Sequence, residues 1–307
     1  MRRTAFLTTL SLFGAAHAVP AVAQTATHMT VVTSPSDSGA EVYYAQSRGT
    51  FKKYGLDVEI VSLAGGAAVA AAMASGKYEI GQGNIATVGA AFEAGLPFVL
   101  VAPASLYNSR AATSALVVAK DSPIARASDL AGKNVANLAV QDIGSVALDR
   151  WLDQQGVDPA SVHVVEMPQA QMAEALARGR VAAAVMIEPF LSMGLAEGTK
   201  LLARHYTAIA PRFMIAAYFA RTDWVAAHRD AARAFAAAMG ETARWANAHH
   251  AESAQILAEY TKVQVTPKQT RTAYAETLDP ALIQPLLDAA VKSKLLKEPL
   301  TAGALLP

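Results

Sequence analysis

The 307-residue sequence contains no cysteine. Disulfides, thiol nucleophiles and cysteine metal sites are therefore excluded, and stability has to come from packed cores alone. A charge excess is also lacking: 26 Lys and Arg stand against 25 Asp and Glu, a formal net charge of +1. With no basic run either, a nucleic-acid partner is not expected. Beyond the first two dozen residues no long apolar segment recurs, so no transmembrane domain is expected. No H-E-x-x-H, G-x-S-x-G, serine–lysine or paired-carboxylate arrangement occurs. His249-His250 with Glu252 has the wrong spacing for a metal, and His163, His205 and His228 lack a partner at ligand spacing. Each histidine reads as surface or core filler, and Trp151, Trp224 and Trp245 read as packing. No cofactor, no metal and no catalytic residue is implied.

What is present begins with residues 1–23. Arg2 and Arg3 form a basic start, Ala5 to Ala16 an apolar run, and Ala21-Val22-Ala23 an A-x-A cleavage site, the order of a secretory signal peptide. The apolar run falls short of the ~18–20 residues that a membrane span needs. The mature chain is expected to start at Gln24, free in the periplasm and monomeric, since no cysteine follows for lipid attachment. Loss of Arg2 and Arg3 leaves 24 basic against 25 acidic groups, a mature net charge of −1.

From Met29 to Pro103 strand and helix patterns alternate. Strands are expected at Met29–Thr33, Leu56–Ser62, Glu79–Gly81 and Phe98–Ala102, with helices at about 40–53, 67–75 and 84–94. A second alternating run follows. Its strands are expected at 115–119, 134–139, 162–166 and 182–187, its helices at 145–155 and 169–178, and one returning strand at 214–220. Residues 224–296 read as helical throughout. Strands separated by helical stretches imply largely parallel sheets covered on both faces.

Open α/β sheets bind ligands at the carboxyl ends of their strands, which selects the loops to inspect. Ser34 to Gly39 precedes the first helix; Asp37 or Ser38 suits an N-cap, and Ser38 and Gly39 are placed to touch a ligand as well. Gly65 and Gly66 leave the N–H groups of the next helix uncovered, which suits a polar or anionic ligand. Ser105 to Arg110 leaves the fourth strand; Tyr107 is a candidate pocket wall, and Arg110 is either a ligand contact or an exposed turn residue. Gly144 and Ser145 open a helix in the second run, where their free N–H groups and the Ser145 hydroxyl would make a second anion-accepting terminus. Tyr43, Phe190 and Tyr218 complete the candidate aromatic walls. Gly81-Gln82-Gly83-Asn84-Ile85-Ala86 imitates a dinucleotide fingerprint, but the acidic residue due ~20 positions on is missing. A tight turn is expected there.

The stretch 47–66, Ser-Arg-Gly-Thr-Phe-Lys-Lys-Tyr-Gly-Leu-Asp-Val-Glu-Ile-Val-Ser-Leu-Ala-Gly-Gly, resembles the first lobe of the nitrate/sulfonate/taurine-type solute-binding proteins, the extracytoplasmic receptors of ABC importers related to thiamine-pyrimidine-binding proteins. The resemblance continues nearly to the C-terminus. It implies an α/β, two-lobed type II periplasmic-binding-protein fold with two crossover strands as hinge. Lobe 1 would be 24–112 plus 216–307 and lobe 2 113–215. It makes the turn at Asn84, Ile85 and Ala86 a ligand loop, and points Glu188, before Pro189, into the cleft. A carboxylate there favours a solute that offers N–H groups. The ligand classes it implies are sulfonate- or taurine-like solutes, aminopyrimidines and aromatic carboxylates; the partners are a membrane permease and its ATPase. An enzyme on the same scaffold, such as a thiamine-pyrimidine synthase, is the alternative, and its cysteine-rich motif is missing here.

Overall fold

In a computed structural model of the protein, the described residues are 26–63, 66–262, 265 and 269–307. The signal-peptide reading therefore lies outside them, as does Gly65. The chain runs through β1 (Thr27–Thr33), α1 (Glu41–Ser47), α2 (Thr50–Lys53), β2 (Leu56–Ser62), α3 (Gly66–Ala74), β3 (Ile80–Asn84), α4 (Ile85–Glu93) and β4 (Phe98–Pro103). After β5 (Ser105–Asn108) come β6 (Ser114–Val118), β7 (Asn134–Asn137), α5 (Ile143–Gln154), β8 (His163–Glu166), α6 (Gln169–Ala177), β9 (Ala183–Ile187), α7 (Phe190–Ala196) and β10 (Lys200–Ala203). The chain ends through β11 (Arg212–Met214), β12 (Ala216–Arg221), α8 (Thr222–Ala227), α9 (Arg229–Ala248), α10 (His250–Thr261), β13 (Ala273–Tyr274) and α11 (Pro280–Lys292).

Two five-stranded sheets result, ordered β2-β1-β3-β12-β4 and β10-β6-β9-β7-β8. β1 pairs parallel with β2 and β3, and β7 pairs parallel with β8 and β9. Both faces of the first sheet are covered, so its core splits into two clusters, while the edge strand β2 keeps Asp57 and Glu59 exposed. A third, small sheet, β11-β5-β13, holds the two crossover strands side by side, Phe213 opposite Tyr107. The fold is a two-lobed α/β architecture with these strands as its hinge.

Several expected elements change at particular residues. The helix over 40–53 breaks at Gly49, whose φ of 70° is left-handed, and α2 stops before Gly55, at φ 69°. The strand expected at 214–220 is two strands in different sheets, β11 and β12, with Ile215 between them. The Gly-x-Gly turn is not a turn. Gly81 to Asn84 are the body of β3, where a Cβ on Gly81 would meet Met73 at 2.6 Å and Phe219 at 2.9 Å. Glycine here permits close packing, not a phosphate loop.

The C-terminal stretch is not helical throughout. It breaks at His228 and at His249, and each break uses the same device. The imidazole stacks on the tryptophan four residues earlier, Trp224 or Trp245, and hydrogen-bonds that residue's carbonyl at 3.0 and 2.7 Å. Beyond α10, Ala273 and Tyr274 add a strand edge to β5, giving their backbone groups partners that an isolated helix end would lack.

Candidate functional site

At the carboxyl end of β1 the loop 34–39 folds tightly on itself. Thr33 Oγ1 donates to the Gly39 carbonyl at 2.9 Å, and the Gly39 N–H donates to Ser36 Oγ at 3.3 Å. A Cβ on Gly39 would lie 2.3 Å from the Ser34 carbonyl oxygen, so only glycine fits. Ser38 Oγ and Ser105 Oγ are 2.5 Å apart, which joins the loop to the start of β5. Gln82 Nε2 donates to the Ser38 carbonyl at 3.4 Å. Ser38, Gly39 and Ser105 are thus brought together beside β3. At the end of β3, Asn84 Oδ1 caps α4 by accepting the Thr87 N–H at 2.8 Å, and Ile85 and Ala86 are fully buried. Gly66 begins α3.

The expected N-cap at Asp37 or Ser38 is not formed: Ser36 caps the turn 37–39, α1 has no side-chain cap, and Asp37 instead binds the C-terminal segment. The Asp37 carboxylate takes Arg271 Nη2 at 2.6 Å and Nε at 3.1 Å, and the Thr272 N–H at 2.8 Å. Tyr274 donates its hydroxyl to the Asp37 carbonyl. Arg271 spends its remaining donors on Tyr44 Oη at 2.8 Å and the His250 carbonyl at 2.9 Å. The two side chains are 1% and 6% exposed. Sequence reasoning missed this pair. An ion pair 234 positions apart leaves no periodicity, and the one available signal was an Asp among otherwise neutral loop residues.

In the second sheet, Glu188 follows β9 and precedes a cis peptide to Pro189. It reaches forward over the first turn of α7, accepting the Ser192 N–H at 3.1 Å and the Ser192 hydroxyl at 2.7 Å. That contact gives a structural reason for glutamate at this position. Burial pushes its carboxyl up from the ordinary range; Asp37 of the other sheet pushes the same way, while Ser192 and the Thr270 N–H pull back. Glu188 therefore lies within electrostatic reach of the β1 loop and beside the segment that carries Arg271.

The start of α5 is already filled. Asp142 Oδ1 accepts the Ser145 N–H at 3.1 Å and Asn137 Nδ2 at 2.8 Å. Ser145 Oγ donates to the Ala139 carbonyl at 3.1 Å and accepts from Asn137 at 2.9 Å. A Cβ on Gly144 would sit 2.4 Å from Asn137 Oδ1. Burial pushes the Asp142 carboxyl up, opposed by these donors. A carboxylate of the chain thus occupies the helix terminus that sequence reasoning left open for an anion.

The aromatic residues divide. Tyr107 is fully buried, its hydroxyl 2.7 Å from Thr207 Oγ1 and its ring packed between Tyr206 and Phe213. Tyr218 is fully buried on the central strand β12, edge-on to Phe235, and its hydroxyl makes no hydrogen bond. Both pack into cores because β12 and the crossover strands have neighbours on every side. Tyr43 stacks on Tyr260 with centroids 5.0 Å apart and bonds Ser62 through its hydroxyl. Phe190 is half-buried at the start of α7. Arg110 is exposed, and its side chain has no partner among the described residues.

The NMT1/THI5-like family model matches residues 38–253, more than two thirds of the chain. No curated protein matches the sequence. Solved structures share the fold. The periplasmic aliphatic sulphonate-binding protein SsuA of Escherichia coli is 18% identical with a TM-score of 0.73, over 91% of this chain and 92% of that one. The periplasmic nitrate-binding protein NrtA of Synechocystis PCC 6803 is 17% identical with a TM-score of 0.73, over 91% and 85%. The desulfurization enzyme DSZB is 16% identical with a TM-score of 0.64, over 91% and 96%.

Proposed function

The chain belongs to the NMT1/THI5-like family, and from that premise we propose that it is the solute-binding receptor of an ABC importer. The observation that supports the reading is that Glu188, after β9, lies within electrostatic reach of Asp37, after β1, each at the carboxyl end of a strand in a different five-stranded sheet. A solute touching both loops favours the closed arrangement, and only that bridging contact does so. The receptor then hands the solute to a membrane permease driven by its ATPase. The setting is the periplasm, after removal of residues 1–23.

The solute in this reading carries N–H groups. Arg271 is committed to Asp37 and the α5 terminus to Asp142, and Glu188 offers carboxyl oxygens that already accept N–H and O–H groups from Ser192. A simple anion would meet the Asp37 and Glu188 carboxyl groups, and the cation beside them, Arg271, is already engaged by Asp37. An aminopyrimidine or a taurine-like zwitterion fits better than nitrate, and an aromatic carboxylate fits only with a donor elsewhere on its ring. Ser38, Gly39, Ser105, Asn84, Gly66 and Phe190 are the residues we assign around it; Gly144 and Ser145, engaged by Asn137 and Asp142, are not among them.

A thermal-shift screen of taurine, 4-aminopyrimidines, benzoates and nitrate tests the assignment. A true ligand at ~100 Kd stabilises by ~2.7 kcal/mol, and it should be recovered unchanged. No shift with any compound, or conversion of the compound to product, would count against a receptor.

A further inference from the structure

We infer that a second binding site lies on the outer side of the first sheet, in a groove of about 560 Å³ between β4, α8 and α9, and that it takes a single-chain amphiphile with an acidic head group. The inference does not depend on the proposed function, since none of the lining residues belongs to the loops around Asp37 and Glu188.

The groove follows from topology. β4 is the last strand of its sheet, so no neighbour continues the surface beyond it. Val99 and Val101, on one face of β4 and each 7% exposed, form the apolar floor; Val225, Ala232 and Ala236 supply the opposite wall, and Pro307 borders it. A volume of this size lies within the range of small-molecule sites, about 300–1,000 Å³.

Two cations stand over that apolar floor. Arg229 and Arg233 lie one turn apart on α9, and both line the groove. Neither side chain makes an ion pair, hydrogen bond or ring contact among the described residues. Nearby arginines behave differently: Arg221 is paired with Asp223 and Arg244 with Glu276. Arg229 is also the first residue of α9, where the helix dipole is positive, and Arg233 sits at the i+4 position facing it. Both placements are unfavourable in an empty groove. A carboxylate held between the two guanidinium groups reverses both, through paired N–H···O contacts that arginine geometry supports. An aliphatic tail then covers Val225, Ala226 and Ala236, the apolar lining residues that are not already buried in the core.

Calorimetry with sodium dodecanoate, below its micelle concentration, tests the site on the purified protein. The expected result is saturable one-to-one binding, weakened at least tenfold in the Arg229→Gln/Arg233→Gln double variant. Hexanoate, which lacks the tail, and dodecyltrimethylammonium, which lacks the acid, should bind far more weakly than dodecanoate. Circular dichroism establishes that the double variant is folded, and the single variants, each expected to weaken binding, serve if it is not. Absence of saturable binding, or dodecanoate binding undiminished in the variants, would overturn the proposal. So would a self-association in sedimentation velocity that the double variant abolishes, because a second copy of the chain would then be the occupant.

Discussion

Asp37 and Arg271 form a two-pronged ion pair, at 2.6 and 3.1 Å, with both side chains almost wholly shielded from water. The pair ties the loop after β1 to the C-terminal segment before β13. Its first consequence is energetic. Arg271→Ala leaves a buried carboxylate without its cation, which should cost ~3–5 kcal/mol. Replacing both residues, as Asp37→Leu/Arg271→Met, should recover much of that loss. Urea denaturation of the three proteins measures it, and a single variant as stable as wild type would contradict the burial described here.

Glu41 carries a second consequence. It lies in the first turn of α1, fully buried, with neither carboxyl oxygen hydrogen-bonded. Burial pushes its pKa well up. The folded value then exceeds the unfolded one, so the carboxyl's contribution is complete below the ordinary carboxylate range and is lost as pH rises. Glu41→Gln should therefore gain on wild type as pH increases from about 4.5 to 8, with ~2–4 °C in Tm for each kcal/mol. Calorimetric melts at both ends of that window decide it. A gap that narrows with pH would show that Glu41 is charged in the fold.

His205 acts in the opposite direction. It is fully buried beside Tyr206, and burial pushes its pKa down to about 3. The folded state refuses a proton that the unfolded chain accepts near 6.5. Stability is present above that value and is lost as pH falls toward about 3, by up to about 4–5 kcal/mol. His205→Phe should flatten the acid limb of the stability curve; an unchanged limb would place the loss at other groups.

Gly144 tests the filled helix terminus. Its absent Cβ leaves room for Asn137, which is 1% exposed and bound to Ala139, Asp142 and Ser145. Gly144→Ala should cost ~1–3 kcal/mol by forcing that side chain aside. Gly303→Ala, where nothing lies within 4 Å, should be close to neutral. Equal effects at the two positions would mean the Asn137 network yields freely.

These tests fall where the sequence was least legible. Hydrophobic alternation and the Gly55 stop placed β1, β2, β4 and most helices within a few residues, because those signals are local. Of the short strands, β7 and β8 were visible and four others were not. β5, β10, β11 and β13 have two to four residues each, too few for a period, and they exist through pairing with distant partners. The candidate site divides in the same way. Ser38, Gly39 and Ser105 meet because strand ends converge, which topology makes predictable. Tyr107 and Tyr218 went into cores because the sequence does not say which face of a strand is covered. Asp37–Arg271 depended on a contact that no spacing announces, whereas Asp142 is a local N-cap of α5, three residues before Ser145, and that signal was available.

The central claim, a receptor whose solute offers N–H groups to Glu188, is tested most directly by calorimetry on wild type and Glu188→Gln. Taurine, a 4-aminopyrimidine, a benzoate and nitrate are titrated into each. The account predicts that at least one N–H-bearing compound binds wild type one-to-one, that nitrate does not, and that Glu188→Gln weakens the first by ~1.5–3 kcal/mol, the range for a charged hydrogen bond. Nitrate binding to wild type, or binding of the amino compound that is unchanged or tightened in Glu188→Gln, would contradict it.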